Sequence, residues 1–288
     1  MSILVTGGTG TVGSQVVRRL VERGQHVSVL VRSTGTAKAL PAGAQGIAGD
    51  LQDPGSLSKA MQGVERVFLL TPLSPIEADL GIAAVKVAKA AGVRHLVYMS
   101  VYKVEAGPHI PHFKSKIEIQ KALKDSGIAL TLIMPNNFYQ NDDWFKQAIL
   151  EYGVYPQPIG DIGLNRVDVR DIADAVANAL TQPGHEGKRY ALVGPDALTG
   201  KAVADTYSRY VGRTIKYGGN DLDAWEAQAL KMMPDWMVHD LKIMYRFYQE
   251  QGLVASREDL AEQAKILGHS PRTFDAYVRE VTTAWRKP

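Results

Sequence analysis

Short apolar runs alternate with segments of helical periodicity through the first half of the chain. The helical segments follow the 3.6-residue period of an amphipathic helix, and the runs between them have strand length. The predicted strands cover residues 3–5, 26–31, 66–70, 95–99 and 129–134, and the predicted helices cover 12–22, 76–92 and 114–124. Repeated strand–helix–strand units of this length form parallel sheets covered by helices. The pattern therefore predicts a doubly wound α/β fold.

The rhythm loosens from about residue 136 onward. Helical periodicity returns at 168–181 and 199–211, short strands are predicted at 188–193 and 214–217, and the remainder is mostly helical. No separate linker interrupts this half. We expect a first domain over residues 1–150 that also receives residues 164–195, and a smaller, mostly helical lobe over residues 151–288 that is interleaved with it.

A glycine-rich loop lies between the first predicted strand and the first predicted helix, with the sequence GGTGTVG at residues 7–13. Gly7 permits a tight turn, Gly10 lets the backbone approach a pyrophosphate, and Gly13 allows close packing of the helix on the sheet. The backbone N–H groups and the dipole of that helix attract phosphate. The loop therefore predicts a dinucleotide site, which Thr6, Thr11 and Val12 complete.

The end of the second predicted strand distinguishes NAD from NADP. An NAD site usually has a carboxylate there for the ribose hydroxyls, but residues 26–40 contain no Asp or Glu. Arg32 follows the strand instead, with Lys38 further on, and a guanidinium can pair with a 2′-phosphate. We therefore expect NADP(H) as the cofactor. A third strand of the sheet is expected directly before the stretch GDLQDPGSL at residues 49–57, and Asp50 and Leu51 in this stretch are predicted to flank the adenine.

Composition and charge exclude several other classes of function. The net charge is +3 with scattered basic residues, so no nucleic-acid partner is expected. The chain has no cysteine, which excludes disulfides and thiolate chemistry. No apolar run has membrane-spanning length and the N-terminus lacks signal-peptide character, so we expect a cytoplasmic protein without a membrane partner. His109 and His112 lack carboxylates at ligand spacing, and no metal is expected.

The chain resembles the NmrA-like group of atypical short-chain dehydrogenases/reductases over about residues 2–285. The order of several short motifs carries this resemblance: TGGTGTVG, GDLQDPGSL, HLVYMS, HFKSKIEIQKALKDSGIALTLIMPNNF, VDVRDIADAVANAL and YALVGPDALT. The resemblance implies NADP(H) binding at the carboxyl edge of the sheet. It also implies that the smaller lobe covers the pocket.

The resemblance further implies which residues perform the chemistry. A serine after the fifth strand and a Tyr-x-x-x-Lys pair do so in the parent superfamily, and Ser100 and Lys116 match the serine and the lysine. His112 stands at the tyrosine position, and none of the twelve tyrosines has a lysine four residues later. His112 either polarises the acceptor or is an ordinary residue of a helix start. Tyr102 is an alternative acid, and the remaining predicted cofactor contacts are Thr71, Pro72, Pro135, Asn136 and Phe138.

Two functions follow from these assignments. The first is an NADPH-dependent oxidoreductase that transfers a hydride to a small electron-poor acceptor, such as a quinone or an activated carbonyl. The second is a non-catalytic NADP(H) sensor that acts through a regulatory protein partner, because the usual tyrosine is missing. A homodimer is a further expectation. A stripe of methionine and aromatic residues recurs at helical spacing near the C-terminus, and core, substrate lid and subunit interface remain alternative interpretations of it: Met233, Met237, Leu241, Met244 and Tyr248.

Overall fold

A seven-stranded sheet with helices on its faces forms the centre of the fold in the computed structural model, which describes residues 2–33 and 40–286. Its strand order is β3-β2-β1-β4-β5-β6-β8 and its pairs are parallel. A separate two-stranded sheet pairs β7 with β9. The strands are β1 Ser2–Val5, β2 His26–Val31, β3 Ala44–Ala48, β4 Arg66–Leu69, β5 His95–Met99, β6 Ala129–Pro135, β7 Val154–Tyr155, β8 Arg189–Leu192 and β9 Lys216–Tyr217. This architecture confirms the predicted doubly wound α/β fold with a largely helical C-terminal region.

Five of the helices follow predicted periodic segments closely, the last four fall in the stretch predicted to be mostly helical, and the helix at residues 54–60 was not predicted. The helices are α1 Thr11–Glu22, α2 Pro54–Ala60, α3 Glu77–Ala90, α4 Pro111–Ser126, α5 Val169–Thr181, α6 Gly200–Val211, α7 Leu222–Ala229, α8 Asp235–Gln251, α9 Arg257–Leu267 and α10 Phe274–Trp285. Helix α4 begins earlier than predicted, because Pro111 occupies its first turn, where a missing N–H costs nothing. Gly92 follows the end of α3 with φ +76°, the left-handed conformation that terminates helices.

The chain divides into two compact units. The first comprises Met1–Pro135, Val169–Ala191 and Lys265–Gly268, and the second comprises Asn136–Asp168, Leu192–Ala264 and His269–Pro288. The first unit contains the glycine loop after β1, the residues that follow β4, and Ser100 after β5. Because β1, β2, β4 and β5 are parallel neighbours, their carboxyl ends meet at one edge of the sheet.

Helix α8 carries most of the methionine and aromatic stripe, and the burial of the stripe changes along it. Met244 and Tyr248 are 6% and 3% exposed, whereas Met237 and Leu241 are half-buried. The C-terminal part of the stripe is therefore ordinary core, and the interpretation of the rest stays a prediction. Among residues 2–33 and 40–286, no helix combines the length and the apolar character that crossing a membrane requires.

Candidate functional site

The glycine loop at the end of β1 is shaped by close backbone contacts. Gly7 has φ +64°, and its carbonyl accepts a hydrogen bond of 3.0 Å from the Gly10 N–H. A Cβ on Gly13 would lie 2.1 Å from the Gly7 oxygen, which no side chain tolerates. Gly13 therefore lets the first turn of α1 pack directly against the loop, as the spacing predicts.

The first turn of α1 offers its backbone N–H groups to an anion. Gly10 is the N-cap without a side-chain capping bond, and no acidic residue lies in the first turn. Gly7, Gly10 and Thr11 are exposed, whereas Val12 is 4% exposed and anchors the helix in the core. Uncompensated N–H groups and the helix dipole together form an anion site. The loop thus fits the diphosphate of a dinucleotide.

Thr6 fixes the base of the loop to the neighbouring strand. Its hydroxyl donates to the Leu70 carbonyl at 2.8 Å and accepts from the Leu70 N–H at 2.8 Å, and Thr6 is fully buried. The Thr6 side chain is therefore used by the sheet, and the part of the loop that a ligand can reach begins at Gly7.

The predicted phosphate and adenine contacts follow β2 and β3. Arg32 is exposed directly after β2, and Lys38 lies outside the described residues. Asp50 accepts the Gln52 N–H at 2.9 Å, so its carboxylate stabilises the turn after β3. Leu51 is half-buried against the apolar core beneath the sheet. Arg32 is therefore the described basic residue of this set, and its side chain is exposed directly after β2.

A buried ionic cluster links α4, α3 and the end of β4. The Lys116 Nζ donates to the Glu77 Oε1 at 2.5 Å and to the Thr71 hydroxyl at 3.1 Å. Thr71 in turn donates to the same Glu77 oxygen at 2.5 Å. Lys116 is 7% exposed and Glu77 is 1% exposed. The predicted site residues Thr71 and Lys116 are thus brought together by Glu77, 39 residues before Lys116.

Electrostatics keep the Lys116 ammonium protonated. Burial opposes its charge, but the neighbouring Tyr98 phenol and the Glu77 carboxylate outweigh burial, so the pKa of Lys116 is raised. Its Nζ lies 5.6 Å from the centre of the Tyr98 ring. Glu77 also lies in the first turn of α3, where the helix dipole favours a carboxylate. The second carboxylate oxygen, Oε2, is buried and has no hydrogen-bond partner among the residues that the structure describes.

Ser100 directly follows β5 and forms a second polar contact with helix α4. Its N–H donates to the Ile133 carbonyl at 2.8 Å, and its Oγ accepts from the Gln120 Nε2 at 2.7 Å. Ser100 is 1% exposed, and Gln120 is half-buried on the same helix as Lys116. Helix α4 therefore delivers Lys116 and the partner of Ser100 to one end of the sheet.

The candidate proton donors differ in their surroundings. His112 is half-buried in the first turn of α4, and its ring packs edge-on against Phe113 at 4.8 Å. Tyr102 is 2% exposed, its N–H donates to the Pro135 carbonyl at 2.9 Å, and the Lys103 ammonium lies 5.2 Å from its ring centre. Both remain predicted site residues. The Tyr102 side chain is therefore buried, whereas a loop tyrosine is usually exposed to solvent.

The segment after β6 carries the last predicted cofactor contacts. Asn136 is 2% exposed, and its amide donates to the Leu253 carbonyl at 2.8 Å. The Phe138 carbonyl accepts from the Arg166 guanidinium at 2.6 Å. Pro135 closes β6 and is buried, whereas Pro72, after β4, is exposed. The Asn136 amide and the Phe138 carbonyl are therefore engaged by the protein itself.

Three residues around the site were not predicted to be site residues: Glu77, Tyr98 and Gln120. Glu77 reads as a polar helix start and Tyr98 as a strand residue, and neither has a local pattern that marks it. Gln120 has one weak signal, because it is four residues beyond Lys116 and so shares its helix face.

The fold and the loop define a dinucleotide-binding α/β protein. The sequence profile of the NmrA-like family matches residues 1–278, which confirms the resemblance: the chain belongs to the NmrA-like family. It is 36% identical over 287 residues to an NAD(P)H azoreductase of Xenophilus azovorans, covering 98% of this chain and 99% of that one. It is 31% identical over 285 residues to quinone oxidoreductase 2 of Escherichia coli (strain K12), covering 94% and 96%.

Solved structures show the same architecture. The crystal structure of an NADPH-dependent quinone oxidoreductase from Escherichia coli in complex with NADPH superposes with a TM-score of 0.88. That likeness covers 97% of this chain and 99% of the other, at 28% sequence identity.

Proposed function

We propose that this protein uses NADPH to reduce a small electron-poor acceptor, with a quinone as the preferred class. It is an NAD(P)H-dependent oxidoreductase and NADP(H) is its cofactor, as in the azoreductase and quinone oxidoreductase relatives and in the NADPH-bound neighbour. The finer assignment, a quinone acceptor, rests on the chemistry of the site. The observation that carries NADPH-dependent reduction is the glycine loop, which lies at the same edge of the sheet as Ser100.

Each part of the site has a proposed task. The N–H groups of the first turn of α1 bind the diphosphate, and Arg32 pairs with the 2′-phosphate. The Lys116 ammonium lies beside the nicotinamide ribose, and Ser100 and His112 orient the acceptor. When bound, NADPH supplies a hydride, which carries both electrons, and the acceptor takes one further proton from water to complete its reduction.

The lack of a Tyr-x-x-x-Lys pair favours a quinone over a plain ketone. A ketone becomes an alkoxide when it accepts a hydride, and this strong base needs a general acid beside it. A quinone becomes a phenolate, whose conjugate acid resembles tyrosine with a pKa of about 10. Such an anion needs hydrogen bonds rather than full protonation. The Ser100 hydroxyl and the His112 imidazole meet that smaller demand.

The experiment follows the absorbance of NADPH with menadione, methyl red and benzaldehyde as acceptors. We expect steady turnover with menadione, slower turnover with methyl red and little with benzaldehyde. Lys116→Met is expected to lower kcat/KM for menadione about 100-fold, the usual effect of removing one charge-stabilising group.

Tight NADPH binding without turnover on any acceptor would contradict the proposal. That result favours the second candidate, a sensor that binds NADP(H) and acts through a protein partner, and the observation behind it is His112 at the tyrosine position.

A further inference from the structure

The Ser100 hydroxyl is a buried group with a spare proton. Its Oγ accepts from the Gln120 amide at 2.7 Å, and Ser100 is 1% exposed. Among residues 2–33 and 40–286, no side chain or carbonyl accepts the Ser100 O–H. A buried donor without an acceptor costs about 1–3 kcal/mol. Such groups are rare in native proteins, and a ligand, a water molecule or a catalytic role is needed to explain each one.

The direction of the Gln120–Ser100 bond decides what Ser100 can do. An amide N–H can only donate, so the serine oxygen accepts and its own proton is directed elsewhere. A carboxylate at position 120 would reverse the bond, because an ionised carboxylate only accepts and would take the serine proton. The identity of this one side chain therefore sets whether Ser100 is a donor or an acceptor toward a ligand.

We propose that Gln120 is a positioning residue that makes Ser100 a hydrogen-bond donor to the reducible oxygen of the acceptor. The inference rests on the proposed function and deepens it, since it names the atom of the acceptor that Ser100 contacts. The Ser100 N–H, bonded to the Ile133 carbonyl at 2.8 Å, holds the serine backbone at the end of β5. Gln120 then fixes the remaining freedom, which is the rotation of the hydroxyl. As negative charge develops on the acceptor oxygen, the donated bond strengthens.

The test is Gln120→Glu, because a glutamic acid has nearly the same shape and changes its hydrogen-bonding direction with pH. Protonated, it can donate to Ser100 as the amide does. Ionised, it accepts from Ser100 and withdraws the proton from the acceptor. Activity relative to wild type is therefore expected to fall as pH rises through the pKa of the new carboxyl. Partial burial places that pKa at or above its ordinary value of about 4.3.

The measured quantity is kcat/KM for menadione, at a series of pH values, for wild type, Gln120→Glu and Gln120→Met. Above the transition we expect Gln120→Glu to lose about 100-fold, and below it to return to within a few-fold of wild type. Gln120→Met, which can neither ionise nor hydrogen-bond to Ser100, is expected to show an intermediate loss that is the same at every pH, with no transition. In a Ser100→Ala background, Gln120→Glu is expected to have no further effect.

Binding provides a readout without turnover. Calorimetric titration of menadione into the NADP⁺ complex is expected to show weaker binding to ionised Gln120→Glu and wild-type binding when the carboxyl is protonated. Affinity for NADPH, measured in parallel, is expected to be unchanged. A Gln120→Glu ratio to wild type that is flat across pH, in both activity and menadione affinity, overturns the inference. A wild-type protein that binds menadione but does not reduce it overturns the proposed function instead.

Discussion

Two buried ion pairs, one in each compact unit, differ in how completely they are satisfied. Arg166 and Asp142 are fully buried in the second unit, and every guanidinium N–H has an acceptor within it. Asp142 also accepts from the Tyr207 hydroxyl at 3.0 Å. In the first unit, the Lys116 Nζ lies 2.5 Å from the Glu77 Oε1, yet no residue within 2–33 and 40–286 forms a hydrogen bond to the second Glu77 oxygen.

From this difference we expect a structural role for the Arg166–Asp142 pair and a functional role for the Lys116–Glu77 pair. Arg166 donates to the Asn137 side chain at 2.9 Å and to the Phe138 carbonyl at 2.6 Å, so it fixes the chain that follows β6. Such a closed network holds one conformation and offers nothing to a ligand. The Lys116–Glu77 pair retains an unmet polar atom beside predicted cofactor contacts. A buried polar atom without a partner requires an explanation, and contact with a ligand is one such explanation.

The largest expected effect comes from removing the negative charge of the buried Arg166–Asp142 pair. Asp142→Asn leaves the Arg166 charge buried without its counter-ion, and we expect a loss of about 3–5 kcal/mol in the free energy of unfolding. Urea denaturation measures it. The control is Lys201→Met, which removes an exposed partner of Asp205 with side-chain exposures of 75% and 61%. That variant is expected to stay within about 0.5 kcal/mol of wild type. Equal losses in both variants would contradict the special role of the closed pair.

A smaller loss of stability and a larger loss of activity are expected from Glu77→Gln. The amide still accepts from Lys116 but carries no charge, so we expect a loss of about 2 kcal/mol in unfolding free energy. Turnover of menadione is expected to fall because the ammonium is no longer held in place.

The double variant Glu77→Gln with Lys116→Met sharpens this contrast. Removing both charges is expected to restore part of the stability, because no unpaired charge remains buried. Activity is not expected to return. If Lys116→Met alone reduces menadione as fast as wild type, the cluster is purely structural and the contrast between the two pairs fails.

The smallest expected effect concerns a buried base that has no carboxylate bonded to it. His95 is 2% exposed, and one ring nitrogen lies 2.8 Å from the Thr131 hydroxyl. The other ring nitrogen has no hydrogen-bond partner in the described part of the chain. Burial lowers the pKa of His95 from its ordinary 6.5, the opposite of the shift at Lys116. Between the lowered pKa of His95 and 6.5, the His95 side chain is therefore protonated in the unfolded chain but neutral in the folded chain.

Stability is thus expected to decline as pH falls from 6.5 toward the lowered pKa of His95, and to level off below it. The slope is measured by urea denaturation across this window. His95→Gln is expected to flatten it, and the matched change at the exposed His26 is expected to leave it unaltered. A wild-type slope in the His95→Gln protein would show that another group titrates.

The sheet was predictable because each of its strands is a run of adjacent residues with a local apolar pattern. His26–Val31 and His95–Met99 have the predicted bounds, since an apolar run flanked by polar residues marks both ends of a buried strand. The glycine loop was predictable for the same reason, because the turn, the close approach and the helix start occupy seven consecutive residues.

The polar partners were not predictable, because they are brought together by the fold rather than by spacing. Glu77 lies 39 residues before Lys116, and Asp142 lies 24 residues before Arg166. A carboxylate that will be buried has the same appearance in sequence as a solvated one. Gln120 was visible as a polar residue on the helix face of Lys116, but its hydrogen bond to Ser100 was not, because that bond depends on the end of β5.

The central claim is that the first turn of α1 and Arg32 hold NADPH. Calorimetric titration of wild type and Arg32→Ala with NADPH and with NADH tests it most directly. We expect one NADPH per wild-type chain, bound more tightly than NADH, and an Arg32→Ala protein that has lost about tenfold of that preference. No binding heat with either coenzyme, or a preference for NADPH that survives unchanged in Arg32→Ala, would contradict the account.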